Sequence, residues 1–178
     1  MKILLTEDQI HQGVGRLAEE IRSHYGAAQP LTILGIMTGS IMLLADLIRV
    51  LEMPLRVGVI QTSSYRHGVQ RGELVVEAGM VPDIEGRDVL LIDDIFDTGH
   101  TLAGVISRIE SMNPRSVHSA VLLRKSGRQE VVKGPDFVTF DIPDEFVVGY
   151  GLDYFDEYRN LPFVAALESS ELHECSSS

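Results

Sequence analysis

At 178 residues, 44% hydrophobic and 23% charged, the chain has enough apolar content to bury one core without disulfides or structural metal. A formal net charge of −11 argues against non-specific nucleic-acid binding, which depends on clustered Lys and Arg, so any anionic ligand must be held by local groups. The one cysteine, Cys175, lies in the polar tail and offers neither a disulfide framework nor a Cys-based metal site; the first apolar run, Ile3 to Leu5, is too short for a signal core, and no run approaches the roughly 18 residues of a membrane span, so the expected location is the cytoplasm, with no membrane partner.

In chain order, Thr6 and Gln9 have the spacing of a capping box, and Ile10, Val14, Leu17 and Ile21 share one helical face, predicting a helix over 7–24 that Gly26 and Pro30 end. Leu31 to Met37 reads as a buried strand, and Ile41, Leu44, Ile48 and Leu51 as a second helix after the Thr38-Gly39-Ser40 turn. Backbone N–H groups at the start of that helix could hold a phosphate, although such turns also serve as plain connectors. Leu55 to Thr62 is a third β-rich run. Ser63 to Gly72 has no helical or strand period and is expected to be a loop, either solvated or a lid whose Tyr65 covers a ligand. Leu74 to Ala78 can form a strand, and Pro82 to Gly86 turns the chain.

Val89 to Leu102, VLLIDDIFDTGHTL, carries the densest chemistry. Its apolar start suits a strand buried on both faces. Asp93, Asp94 and Asp97 follow, then Thr98, Gly99 and Thr101, then helical periodicity. A strand, a Gly-containing turn rich in hydroxyls and a helix N-terminus describe a phosphate crevice at the carboxyl end of a parallel sheet. Three neighbouring carboxylates repel an anion unless a cation or a polyol lies between, which asks for Mg²⁺, a sugar, or both.

A helix is expected from Thr101 to Met112, stopped by Asn113-Pro114; Val117 to Leu123 is a strand ending on Arg124-Lys125, and Phe137 to Phe140 and Phe146 to Tyr150 are short β runs. Alternation of strands and helices predicts an α/β fold with a mainly parallel central sheet and right-handed connections. One domain is expected over 1–168, with a Ser-rich, disordered tail over 169–178.

The central stretch lacks the Walker A pattern and the Rossmann fingerprint. It also departs from the aspartyl-phosphate strand of haloacid-dehalogenase-like phosphatases, which wants aspartates two residues apart where this chain has Ile95 and Phe96. A reading in which Asp97 and Thr98 merely cap the next helix leaves Asp93 and Asp94 unexplained. IDDIFDTGHTL instead resembles the phosphoribosyl-pyrophosphate signature of type I phosphoribosyltransferases. GIMTGSIMLLADL (35–47) is similar to the pyrophosphate-contacting turn of the hypoxanthine-guanine phosphoribosyltransferases, SSYRHG (63–68) to their Ser-Tyr lid, and PDFVTFDIPDEFVVGYGLDYFDEYRNLP (135–162) to their purine-binding segment.

The resemblance implies a type I phosphoribosyltransferase fold, its central sheet flanked by helices, with a small hood made by the N- and C-terminal segments. It implies Asp93 and Asp94 on the ribose and its Mg²⁺, and Asp97, Thr98, Gly99, His100 and Thr101 around the 5′-phosphate, with Asp97 also the general base at N7 of the purine. Thr38, Gly39 and Arg159 fall to pyrophosphate, Ser64 and Tyr65 to the lid. Lys125 falls to O6 of the purine, Phe146 to stacking, Val147 to the Watson–Crick edge and Asp153 to a second Mg²⁺ beside the base. Read without the resemblance, Lys125 is a solvated strand-end charge and Phe146 and Val147 are core. Two positions depart from the family: Thr38 stands where many relatives carry Lys or Arg, and His100 occupies a variable place in the phosphate loop.

The implied activity is purine salvage, joining hypoxanthine or guanine to phosphoribosyl pyrophosphate to give IMP or GMP and pyrophosphate. The alternatives are a xanthine-preferring relative and a nucleotide- or RNA-binding regulator on the same fold. Relatives commonly form homodimers or homotetramers.

Overall fold

Thr6 begins the first helix as its spacing predicts: its hydroxyl accepts from the Gln9 N–H at 3.3 Å while the Gln9 side chain accepts from the Thr6 N–H at 2.9 Å. The computed structural model describes residues 1–64, 74–168 and 171, with the side chains of 63–64 and 74–79 left aside. Strand β1 (Lys2–Leu5) precedes this helix, α1 (Glu7–Tyr25), followed by β2 (Leu31–Met37), α2 (Ile41–Val50), β3 (Leu55–Ser64) and β4 (Leu74–Met80). Then come β5 (Asp88–Phe96), α3 (His100–Glu110), β6 (Ser116–Lys125), β7 (Phe137–Ile142), β8 (Val147–Val148) and β9 (Val164–Ala166).

The main sheet has the order β4-β3-β2-β5-β6-β7, parallel throughout except for β4 at the edge. The period of two divides each central strand between two cores. Ile33, Leu90 and Ile92 face Ile10, Leu17 and Leu47 of α1 and α2, whereas Leu34, Val89 and Leu91 face Leu102, Val105 and Ile109 of α3. Each fully buried Leu or Ile contributes roughly 1.5–3 kcal/mol of transfer free energy, which is why the apolar run of β5 tolerates no polar residue until the strand passes beyond the helices. At the opposite end of β5, buried Asp88 accepts from Arg115 Nε at 2.9 Å and Ser116 Oγ at 2.7 Å; the guanidinium holds its carboxyl down to about 2.

A second sheet, β1-β9-β8, is antiparallel and joins the two ends of the chain, the hood anticipated from the terminal segments. Two details differ from the sequence reading. β5 continues through Asp93 and Asp94 to Phe96, with Asp93 opposite Val121 and Phe96 opposite Arg124, so these two carboxylates stand within the strand and only Asp97 follows it. β3 runs to Ser64, pairing Ser63 with Val75 and Ser64 with Leu74 of antiparallel β4, so two residues of the expected loop belong to a strand. Lid residue Tyr65 and most of the expected tail lie outside the described residues. Strand β9 has only three residues, too few to show a period.

Candidate active site

Strand order fixes where the site forms. From β2 the chain moves to β3 on one side, and later strands continue on the other, so the carboxyl ends of β2 and β5 flank the point where winding reverses. A cavity of about 350 Å³ opens there. It brings together Thr38 and Gly39 after β2, Asp93, Asp94, Asp97, Thr98, Gly99 and Thr101 from β5 and its turn, and Asp153 and Arg159 from the segment below the hood.

The β2 turn lies directly on the acids. A side chain at Gly39 would fall inside the Asp94 carboxylate, so only glycine lets the backbone approach so closely. Asp93 is 8% exposed. Burial first and the neighbouring Asp94 charge second push its carboxyl well above the ordinary carboxylate range, and burial also raises Asp94. The Asp94 N–H donates to Asp93 Oδ1 at 3.0 Å and the Ile95 N–H to Asp94 Oδ1 at 2.7 Å, which fixes both side chains. Two crowded carboxylates of this kind are relieved by a divalent cation. Mg²⁺ takes one or two carboxylates and completes its shell with water and substrate oxygens, so this pair fits it without the third protein ligand that is missing from any cluster among the described residues.

Beyond the acids, Gly99 takes φ +90° and starts α3; a Cβ there would meet Val131 at 2.5 Å and Phe96 at 2.7 Å. The first turn of α3 contains no acid, and the opening N–H groups of a helix have no intrahelical acceptor, a setting for an anion. His100 does not line the cavity; its Nε2 lies 2.8 Å from Glu130 Oε2.

Arg159 arrives already oriented. Its Nη1 donates to the Gly151 carbonyl at 2.8 Å, and its Nη2 pairs with Asp153 at 2.8 Å and Asp156 at 3.3 Å. The segment that carries it departs from regular backbone, with left-handed φ at Tyr150, Phe155, Asp156 and Tyr158.

Lys125, Phe146 and Val147 lie outside the cavity lining. Lys125, at the end of β6 and with its side chain 12% exposed, places Nζ 3.6 Å from Asp97 Oδ2. Phe146 is 42% exposed and meets Tyr154 edge-on at 5.3 Å, while Val147 is buried in β8. Two residues without a role in the sequence reading join them. Arg128 Nε donates to Asp97 Oδ1 at 2.9 Å, and Asp144 lies 3.4 Å from Lys125 and 3.7 Å from Arg128. Their only sequence signal is position, in the loops after β6 and after β7.

The family model for the phosphoribosyl transferase domain matches residues 2–154. Hypoxanthine-guanine phosphoribosyltransferase of Aquifex aeolicus is 39% identical over 169 residues, 94% of this chain and 95% of that protein. The chain belongs to the hypoxanthine-guanine phosphoribosyltransferase family. Another family member, the enzyme of that name from Bacillus subtilis, is 39% identical over 94% of this chain and 93% of its own length. Among solved structures, hypoxanthine phosphoribosyltransferase of Staphylococcus aureus superposes with a TM-score of 0.89 at 36% identity, covering 96% of this chain and 92% of that one. A variant of the Trypanosoma cruzi hypoxanthine phosphoribosyltransferase, complexed with its product IMP, gives 0.90 at 33% identity, covering 100% and 96%. The type I phosphoribosyltransferase fold therefore extends over the whole sheet and hood.

Proposed function

We propose that the chain transfers the phosphoribosyl group of phosphoribosyl pyrophosphate to N9 of hypoxanthine or guanine, giving IMP or GMP and pyrophosphate. The observation that carries this reading is the meeting, at one sheet end, of the acid pair, the Thr98–Thr101 anion turn and the Gly39 turn, with Lys125 reaching Asp97 from the next strand.

The bond from C1 of the ribose to pyrophosphate breaks as the bond to N9 forms, through an oxocarbenium-like state. Asp93 and Asp94 hold the ribose hydroxyls and the metal, and Thr98 to Thr101 hold the 5′-phosphate with hydroxyls and backbone amides. Mg²⁺, when bound there and beside Asp153, supplies charge neutralisation for the departing polyanion. Arg159 and the Thr38-Gly39 backbone take the pyrophosphate; with Thr38 in place of a basic residue, amides and a hydroxyl do that work. Asp97 accepts the proton from N7, and Lys125 donates to O6, which a 6-aminopurine cannot accept. Phe146 stacks on the base, the Val147 backbone reads its far edge, and Ser64-Tyr65 form the cover that excludes water.

Cytoplasmic location and a homodimeric or homotetrameric assembly belong to the same reading. No described helix is long and apolar enough to cross a membrane. A spectrophotometric assay with Mg²⁺, phosphoribosyl pyrophosphate and each of hypoxanthine, guanine, xanthine and adenine tests the proposal: turnover of the first two supports it. Preference for xanthine would move the chain to a different base, and no turnover with any base would overturn it.

A further inference from the structure

Asp97, Lys125, Arg128 and Asp144 form a closed ring of charges across the ends of β5, β6 and β7, each cation lying between the same two carboxylates. Asp97 offers Oδ1 to Arg128 at 2.9 Å and Oδ2 to Lys125 at 3.6 Å. Asp144 faces the same cations from the other side, Oδ1 3.4 Å from Lys125 and Oδ2 3.7 Å from Arg128. Arg128 is thus close on Asp97 and distant from Asp144, whereas Lys125 is poised between the two. Asp144 also sits two residues ahead of Phe146, on the same short loop that leads to β8.

On the reading given above, this arrangement contains a conflict. The proton acceptor for N7 already accepts a hydrogen bond from Arg128 at Oδ1 and has Lys125 3.6 Å from Oδ2, so an incoming N–H must compete with a cation at Oδ1. Lys125, its side chain 12% exposed, cannot leave for solvent without being unpaired, and Arg128, though 43% exposed, has a second carboxylate nearer to hand than bulk water. A second carboxylate within 4 Å of both resolves this.

We propose that Asp144 is a positioning residue for catalysis: as the purine enters, Arg128 shifts from Asp97 to Asp144 and Lys125 turns toward O6 while keeping Asp144, leaving Asp97 Oδ1 open to the N7 proton. No bond is made or broken in this exchange; a donor moves from one carboxylate to another. In this exchange Asp144 acts through the two cations and not directly on the base or ribose. The purine carries its own charge-neutral replacement for the lost contact, since N7–H donates to Asp97 where Nε of Arg128 did.

Steady-state kinetics of the full chain, with hypoxanthine and phosphoribosyl pyrophosphate varied separately, provide the test. Asp144→Asn should lower kcat/KM for hypoxanthine about tenfold or more, leave the KM for phosphoribosyl pyrophosphate within twofold, and shift the alkaline or acid limb of the kcat/KM profile for the base. Removing the stranded cation in the same background, Asp144→Asn with Arg128→Gln, should recover part of that loss, a sign of coupling that a purely structural role does not give. Asp144→Glu, which keeps the charge, should retain more activity than Asp144→Asn. An unchanged kcat/KM in Asp144→Asn, additive losses in the double variant, or equal losses for Asn and Glu would overturn the proposal. If a variant is too unstable to assay, phosphoribosyl pyrophosphate binding and the Arg128→Gln single variant decide: that variant should show faster base association, and slower association overturns the exchange. Wild-type turnover of hypoxanthine in the same assay separates the two levels, because an inactive wild type removes the reading of the site and this proposal with it, whereas an active wild type with an indifferent Asp144 removes only the proposal.

Discussion

Gly151 backs directly onto Gly39, so that a Cβ on Gly151 would fall on the Gly39 carbonyl oxygen. Two turns far apart in sequence therefore touch backbone to backbone, and the segment carrying Asp153 and Arg159 is set against the turn over Asp94. Gly151 also has φ +100°, where an L side chain is strained. Gly151→Ala is expected to destabilise by about 2 kcal/mol or more, strain and close approach together. For a chain of this size that is a fall of roughly 4–8 °C in Tm. Calorimetry checks it, and activity should fall more than stability because Arg159 moves with its loop.

Asp97→Asn is expected to keep phosphoribosyl pyrophosphate binding and to lower kcat by about 10²–10⁴, the range for loss of a general base. Isothermal titration and turnover on one preparation measure both. Near-normal turnover would remove the base from Asp97 and leave it a partner of Arg128 and Lys125.

Lys125→Ala should cut turnover of hypoxanthine and guanine and narrow the preference over adenine. The cationic donor that rejects an amino group at position 6 is then gone. Competition between hypoxanthine and adenine gives the ratio directly, and an unchanged ratio would count against the contact.

The buried acids predict an opposed pH response. Asp93 binds its proton more tightly in the folded than in the unfolded chain, so between the ordinary carboxylate value and its raised folded value the native state holds more protons. Stability from this group is complete at acid pH and is lost as pH rises through that raised value. Asp88 runs the other way, contributing above the ordinary value and losing its contribution as pH falls toward about 2. Asp93→Asn is therefore expected to raise the Tm of the ligand-free protein at neutral pH while weakening binding of the Mg²⁺ complex of phosphoribosyl pyrophosphate. Thermal scans from pH 3 to 8 on wild type and variant test the signs.

Much of this was legible because it is local. The Thr6-Gln9 cap, the doubly buried run of β5 and the acids beside a hydroxyl-rich turn each lie within one short stretch, where spacing and chemistry can be read together. The ladder position of Asp93 was hidden because it depends on Val121 across a strand boundary. The reversal of β4 was hidden for a similar reason, since its direction is set by pairing with β3. Arg128 and Asp144 were illegible because neither falls on a helix or strand face; only the side-by-side order of β5, β6 and β7 makes them neighbours. Val164–Ala166 gave too short a pattern to be seen at all.

The hood sheet has a consequence for synthesis. Its middle strand, β9, pairs with β1 on one side and β8 on the other, so the first strand made waits for the last. A nascent chain that has emerged as far as α3 carries the acids, the anion turn and the Gly39 turn, but it lacks Lys125, Asp153 and Arg159 and has no roof. The roof closes only when residues 164–166 are available, after the slow, long-range pairing that such sequence separation entails. A chain halted between Lys125 and Asp153 would therefore display the acids, the anion turn and the purine-facing lysine while lacking Asp153, Arg159 and the roof, a site open to solvent on the side where pyrophosphate must leave.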